Sequence, residues 1–452
     1  MADYLPHTPD EVAEMLAFLG MDSFDQLFAH VPAAVRLSGG LDLPEGRSEP
    51  DVAAAFARLT WANRATSALT CYAGAGAYDH EVPAVVRALA SRSEFVTAYT
   101  PYQPEVAQGV LQAIFEYQTM VARLAGLPIA NASLYDGATA LVEALNMAHG
   151  ATGRSTMVVS SGVHPHWRAV VRTFAAGTGH EIVEVPLRDG VTDWSGIDVS
   201  GAAAVVAAYP NYLGVLEDLS AARRLADGPG ALLVVAADPV GAGVLRSAGS
   251  WGADVCVGEG QPFGTALGFG GPYLGLFACS LDEVRRLPGR IVGETVDSND
   301  RRAFVTTLRA REQDIRREKA TSNVCTNQTL MAVTAAIQLG WLGSRGLREV
   351  ATRCARGARY LFGQLGLVAG VTPVSTQPFF REFALRVPGR AEVVLAALAD
   401  EGILGGLAAA ALTGGPDPSV EDVENVVVVA VTERRTREEL DRYVEVLSKV
   451  VA

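Results

Sequence analysis

The residues whose types could support chemistry begin with the stretch from Val234 to Gly275, "VVAADPVGAG … GADVCVGEGQPFGTALGFGGPYLG". An apolar strand ends in Asp238, a second apolar strand follows, and Gln261 opens a glycine-rich loop. Earlier, "SLYDGATALVEAL" from Ser133 starts a helix with Gly137 and Thr139 in its first turn, and His164 follows the strand "STMVVSSG". A helix start offers backbone N–H groups to an anion, a carboxylate at a strand end can pair with a ring nitrogen, and an imidazole can lie against a flat ring. Together these are the protein contacts of pyridoxal phosphate. One slot fails. The cofactor is held through a lysine amine, and a strand and a turn beyond the aspartate (261 − 238 = 23 residues) stands an amide, which cannot form an imine. Each residue alone has a plainer explanation as well, since an aspartate after a strand caps turns and "DGAT" starts ordinary helices.

Other cofactor chemistries are easier to dismiss. The 452 residues hold two lysines, Lys319 and Lys449, beside 37 − 2 = 35 arginines, a bias that codon usage explains. A phosphate-binding Gly-Lys-Ser/Thr loop is excluded, because the lysines sit in "REKATS" and "LSKVV". A dinucleotide fingerprint is not met either, since "GAGVLR" and "GEGQPFG" each lack the third glycine. His164 and His166 flank Pro165 with no nearby carboxylate or cysteine, so no metal site is expected, and packing of one imidazole on a flat group is the better reading. Lys319 lies 319 − 238 = 81 residues past Asp238 in the basic run "LRAREQDIRREKATS". It reads either as an exposed helix end or as a contact at an interface.

The elements that must position these residues follow from hydrophobic period. "HTPDEVAEMLAFLG" predicts a helix capped by Thr8, with Pro9 in its first turn, Glu11 completing a capping box and Gly20 ending it. "SEPDVAAAFARLTWANRA" and "PEVAQGVLQAIFEYQTMVARLAG" repeat apolar residues at three and four, so roughly the first 125 residues read as helical arms, and arms suggest a partner. From Asn131 to Cys279, β-rich runs such as "AAAVVAAYP", "ALLVVAADP" and "ADVCVG" alternate with helices, which predicts a largely parallel α/β sheet covered on both faces. Its ligand would sit beyond the strands' carboxyl ends. The rest reads as a smaller α+β domain. The expected boundaries are a helical arm over 1–98, a large α/β domain over 99–325 and a small domain over 326–452.

Composition sets the remaining bounds. The net charge of −13, without a long basic run, makes nucleic acid a poor partner. No apolar run reaches the roughly 18 residues of a membrane span, and "MADYLPHTPDEV" lacks the pattern of a cleaved signal, so a soluble cytoplasmic protein is expected. Five isolated cysteines read as buried reduced thiols.

Four stretches carry a closer resemblance: "YTPYQPEVAQGVLQAIFEYQTMVARLAGL" from Tyr99, "NASLYDGATALVEA" from Asn131, "GEGQPFGTALGFGGPYLG" from Gly258 and "IRREKATSNVCTNQ" from Ile315. Almost end to end the chain resembles the glycine-decarboxylating P-protein family of the glycine cleavage system, in its split form and on the alpha side. The resemblance implies a fold-type-I pyridoxal-enzyme architecture and an (alpha-beta)2 heterotetramer in which the beta subunit carries pyridoxal phosphate. Gln261 then marks the degenerate half of a duplicated enzyme, and Gly137, Thr139, His164 and Asp238 line an unoccupied relic of a cofactor pocket. In the family, glycine displaces the beta chain's lysine and loses carbon dioxide, and the aminomethyl carbanion attacks the lipoyl disulfide of the H-protein. Because active sites of such dimers lie between subunits, Tyr99, Tyr102, Lys319, Thr321, Ser322 and Asn323 are expected to wall the partner's site. For the tyrosines, ordinary buried aromatics are the alternative. Two other readings of the whole chain stand beside this one, a self-sufficient pyridoxal enzyme using Lys319 and a non-catalytic scaffold.

Overall fold

The helix signals at the N terminus are realised. In the computed structural model, which describes residues 6–37, 39, 41–65, 68–97, 101–414 and 420–452, helix α1 spans Pro9–Phe18. Thr8 caps it reciprocally with Glu11, and Gly20 follows it at φ 69°. A second helix, α2, spans Glu49–Trp61, with Ser48 accepting from the Asp51 N–H. These helices belong to a first unit, Met1–Arg64, and neither contains a buried residue.

The second unit, Ala65–Ala452, is built on a seven-stranded sheet. Its strands are β1 (Ile129–Ala130), β2 (Thr156–Ser160), β3 (Glu181–Val185), β4 (Ala202–Tyr209), β5 (Leu232–Ala237), β6 (Val255–Glu259) and β7 (Gly275–Cys279). They lie in the order β1-β7-β6-β5-β4-β2-β3. All pairs from β6 to β3 are parallel, while β7 runs antiparallel to β6 and β1. Strand β4, "AAAVVAAY", has five alanines, which are poor strand formers, yet every residue in it is buried. Burial on both faces decides its conformation. Val158, Val205, Leu233 and Val235 point to one side, and Met157, Val159, Val206 and Val234 to the other.

Helices cover both sides. Helix α3 (Gln108–Ala125) packs Tyr117 and Val121 into the first layer, so it is a core element and not an arm. Helices α4 (Gly137–Thr152) and α5 (Pro165–Thr178) supply Leu141, Met147 and Val171 to the second. Helix α6 (Leu219–Asp227) returns to the first. The long helix α7 (Thr329–Leu365) then links two cores, placing Ala332 and Leu347 against the sheet and Leu361 and Leu365 in the following domain. It is broken at Gly343, whose φ of 59° and ψ of −177° are open to glycine and strained for other residues.

The C-terminal part holds a four-stranded sheet of β8 (Thr372–Pro373), β9 (Glu382–Arg386), β10 (Leu407–Ala408) and β11 (Val426–Ala430), in the order β8-β9-β11-β10 and antiparallel throughout. Helices α8 (Ala391–Asp400) and α9 (Arg437–Val450) pack on it. An early segment joins this layer: Thr70 and Cys71 pair in parallel with Ile403 and Leu404, and the Ala430 N–H donates to Tyr72 O at 2.9 Å. Among the described residues, no helix is long and apolar enough to cross a membrane.

Candidate functional site

The carboxyl ends of β2, β4, β5 and β6 converge on a cavity of about 90 Å³ lined by His164, Asn211, Asp238, Glu259 and, from the small domain, Arg381 and Glu382. This is where an open α/β sheet places its ligand. Of the residues singled out in the sequence, Gly137, Thr139, His164, Asp238 and Gln261 lie in or beside it.

Gln261 is 1% exposed and all its polar atoms are used. Its Oε1 accepts from the Tyr78 N–H at 2.9 Å, and its Nε2 donates to Tyr78 O at 3.1 Å and Thr265 O at 2.7 Å. The side-chain amide thus pairs with a backbone residue as a neighbouring strand would. At the start of α4, the Gly137 N–H donates to Glu259 Oε2 at 3.0 Å, while Glu259 Oε1 accepts from the Gln261 and Leu274 N–H groups, each at 2.9 Å. Three backbone donors therefore converge on one carboxylate. Burial pushes the Glu259 acid up to about 7 against the pull of those amides. The indole of Trp167 covers the same spot, since a Cβ on Gly137 would lie 2.2 Å from it. Thr139 is spent on the helix cap, its N–H donating to Asp136 Oδ1 at 2.7 Å.

Asp238 caps the turn after β5, accepting from the Val240 N–H at 3.0 Å, and its Oδ2 lies 2.6 Å from Arg381 Nε. The Arg381 side chain is 1% exposed, and its guanidinium stacks 3.6 Å from the centroid of the Tyr78 ring and bonds His80 Nε2. Burial, the largest single influence, disfavours this charge, but Asp238, Tyr78, Cys354 and Glu382 together outweigh it and raise its proton affinity. Glu382 beside it accepts from the Ala75 N–H at 2.5 Å and the Tyr78 hydroxyl at 2.7 Å. His80 Nδ1 meets Glu433 at 2.6 Å. His80, Cys354 and Glu433 are the one described trio whose types and spacing could suit a metal, yet their polar atoms already serve each other and Arg381. His164 caps α5, its Nδ1 accepting from the His166 N–H at 3.1 Å. Burial lowers it to about 4, and its Nε2 is buried without a partner. It meets His166 edge to face at 5.1 Å.

The other predicted residues lie elsewhere. Tyr99 is outside the described residues. The Tyr102 hydroxyl donates to Asn327 Oδ1 at 2.6 Å, under the guanidinium of Arg290 at 4.9 Å from the ring centroid. Thr321 and Ser322 border a small crevice with Arg286 and Arg311, and Thr321 packs where Gly150 leaves room near the end of α4. Lys319 and Asn323 are exposed. Gly150 is 13 residues beyond Gly137, so roughly 20 Å of helix separates the two groups. Sequence reasoning did not single out Glu259, Arg381 or Glu382. A faint signal existed, because "GEGQ" and "FFREFALRV" set charged residues against apolar strands.

With this geometry in hand, comparison with known proteins is decisive. Residues 2–447 match the family described as "Glycine cleavage system P-protein". This chain belongs to the P-protein family. It is 46% identical over 449 residues to the "Probable glycine dehydrogenase (decarboxylating) subunit 1" of Carboxydothermus hydrogenoformans, covering 98% of this chain and 99% of that one. The subunit of the same name from Brevibacillus brevis is 46% identical over 444 residues, with 97% and 96% covered. A crystal structure of "glycine decarboxylase (P-protein) of the glycine cleavage system, in inhibitor-bound form" superposes with a TM-score of 0.90 at 47% identity, over 99% of this chain and 100% of that one. The apo cysteine desulfurase of Thermococcus onnurineus NA1 shares the fold alone, at a TM-score of 0.62 and 16% identity, over 90% and 99% of the two chains. The architecture is that of fold-type-I pyridoxal enzymes.

For a P-protein chain of that fold the cofactor is pyridoxal phosphate, and the residues of this cleft do not fit it. A carboxylate and an indole stand at the helix start where the phosphate would bind, Asp238 is taken by Arg381, and position 261 has no amine. The remaining cavity is well below the roughly 300 Å³ at which ligand pockets begin. The chain's own side chains narrow the cleft to a small cavity that His164, Trp167 and Arg381 border.

Proposed function

We propose that this chain is the alpha subunit of a cytoplasmic, glycine-decarboxylating P-protein, and that it completes an active site whose pyridoxal phosphate the beta subunit carries. The observation that carries this reading is Gln261, whose amide is wholly engaged in holding Tyr78 and Thr265 where a cofactor-bearing chain needs a lysine. In this reading glycine is the substrate, the aminomethyl group passes to the lipoyl arm of the H-protein, and the assembly is a heterotetramer of two alpha-beta pairs. The cofactor supplies the electron sink for decarboxylation. The part of this chain is to shape the site from outside. Tyr99, Tyr102, Lys319, Thr321, Ser322 and Asn323 form the wall offered to the partner, with Tyr102 held in place by Asn327 and Arg290. Lys319 sits two residues before Thr321, toward the end of α4 remote from the cradle, which disfavours a self-sufficient enzyme.

Borohydride reduction of this chain, of its partner and of their mixture, with mass spectrometry and a glycine decarboxylation assay, tests the assignment. The expected result is a pyridoxyl group on the partner only and activity in the mixture only. A label on Lys319, or activity from this chain alone, would overturn it. In the mixture, Tyr102→Phe is expected to lower activity by about tenfold, the worth of one hydrogen bond of about 1.4 kcal/mol. Full activity in both Tyr102→Phe and Ser322→Ala would favour a scaffold role instead.

A further inference from the structure

The side chains that fill the cleft come from three places in the chain. Glu259 ends β6 and Gln261 follows it, Asp238 follows β5, Arg381 and Glu382 stand just before and at the start of β9 of the small domain, and Tyr78 and His80 belong to the segment that runs beside the small sheet. The contacts of Gln261 with Tyr78, of Arg381 and of Glu382 cross from one of these parts to another, whereas Glu259 binds only within the large domain. Gln261 grips Tyr78, Arg381 joins Asp238 to His80, and Glu382 receives Ala75 and Tyr78. Just beyond, Asp79 meets Arg434 and Arg435, and its carbonyl accepts from Thr432 Oγ1 at 2.8 Å. Enzymes that close on a ligand leave such contacts to be completed when it binds. Here Gln261, Asp238, Arg381 and Glu382 meet partners within the chain.

We infer that the cleft is a lock made by the chain itself: Arg381 takes the place of a cation at Asp238 and Gln261 that of a lysine, and together they fasten the small domain and the 72–82 segment to the large domain, while Glu259 takes the place of an anion at the helix start and ties Gly137, residue 261 and Leu274 together within the large domain. The inference rests on the P-protein reading only in taking the pocket as a relic. Its mechanical content does not depend on activity. Because buried charges tolerate removal of a partner poorly, the crossing contacts of Gln261 and Arg381 should act as one unit.

Hydrogen exchange with mass spectrometry on the chain produced together with its partner subunit tests this. Gln261→Ala, made on the large-domain side, is expected to speed exchange about tenfold in 72–82 and also in the small-domain strand Glu382–Arg386, which it does not touch. Glu259→Ala should expose the amides of Gly137, Gln261 and Leu274, and added inorganic phosphate should slow them again while leaving the wild type unchanged. Faster exchange confined to the neighbours of residue 261 would overturn the lock. So would protection of the wild type by phosphate, or no rescue of Glu259→Ala. If Gln261→Ala fails to assemble, Gln261→Glu serves: it keeps the acceptor for Tyr78 and loses both donors, so a smaller effect in the same two segments is expected, and an effect in one alone counts against the lock. Glycine decarboxylation by the wild-type mixture separates the two hypotheses. An inactive mixture with a protected cleft would sink the alpha-subunit reading and leave the lock standing.

Discussion

A lysine placed at position 261 is not expected to make a cofactor site. The Tyr78 N–H would lose its acceptor, and an ammonium would replace a neutral amide in a position that is 1% exposed. Gln261→Lys is expected to cost about 3 kcal/mol in urea unfolding and to gain no pyridoxyl label on reduction with the cofactor. A second residue gives a pH test. Burial pushes the Glu143 carboxyl up to about 7 from an ordinary 4.5, against hydrogen bonds from Ser322 and Asn146. Its folded pKa is raised, so its stabilising contribution is full below pH 4.5 and is lost as pH rises through about 7. Glu143→Gln removes that dependence. Between pH 5 and pH 8 the stability difference should therefore move by about 2 kcal/mol in favour of the variant, after allowance for partial solvent access, and an unchanged difference in urea titrations at the two pH values would refute it.

The elements of the fold were largely legible in the sequence, because the signals for them are local. Thr8 and Glu11 cap α1 three residues apart, and short β-rich apolar runs such as "ALLVVAADP" read as strands covered on both sides. The candidate site was half legible for the same reason. Gln261 stands out by its distance from Asp238, but the partner that takes Asp238 is 381 − 238 = 143 residues away, and no spacing rule connects them. The sequence reads α3 correctly as a helix but as part of an arm, because an amphipathic period shows that a face is buried and not what buries it. Two glycines test the backbone of these connections. At Gly214, φ is 86° and a Cβ would lie 1.9 Å from Glu382 O, which is backbone and cannot yield. At Gly230, φ is 67° with nothing within 4 Å. Gly230→Ala should cost about 1 kcal/mol and melt a few degrees lower, whereas Gly214→Ala should fail to accumulate as folded protein; similar melts for the two would contradict the close approach.

At the scale of the whole molecule, the two units differ in how they are stabilised. Among the described residues, none of the hydrophobic clusters includes a residue before Tyr72. Phe18 and Trp61 of the first unit are 91% and 87% exposed. Such side chains mark a surface meant to be covered. Deleting residues 1–64 is expected to leave a cooperative melt in the remainder but to abolish co-elution with the partner subunit on size-exclusion chromatography; retained co-elution would show that the first unit is dispensable for assembly. The filled cleft also has an evolutionary consequence. A lineage that lost the lysine alone could regain it by one codon change. This chain could not, because Glu259, Gln261 and Arg381 now satisfy one another's neighbours, and each single reversion is uphill before any catalytic benefit arrives. On the alpha-subunit reading proposed above, the absence of an amine at position 261 has become a ratchet, held by packing as firmly as by selection.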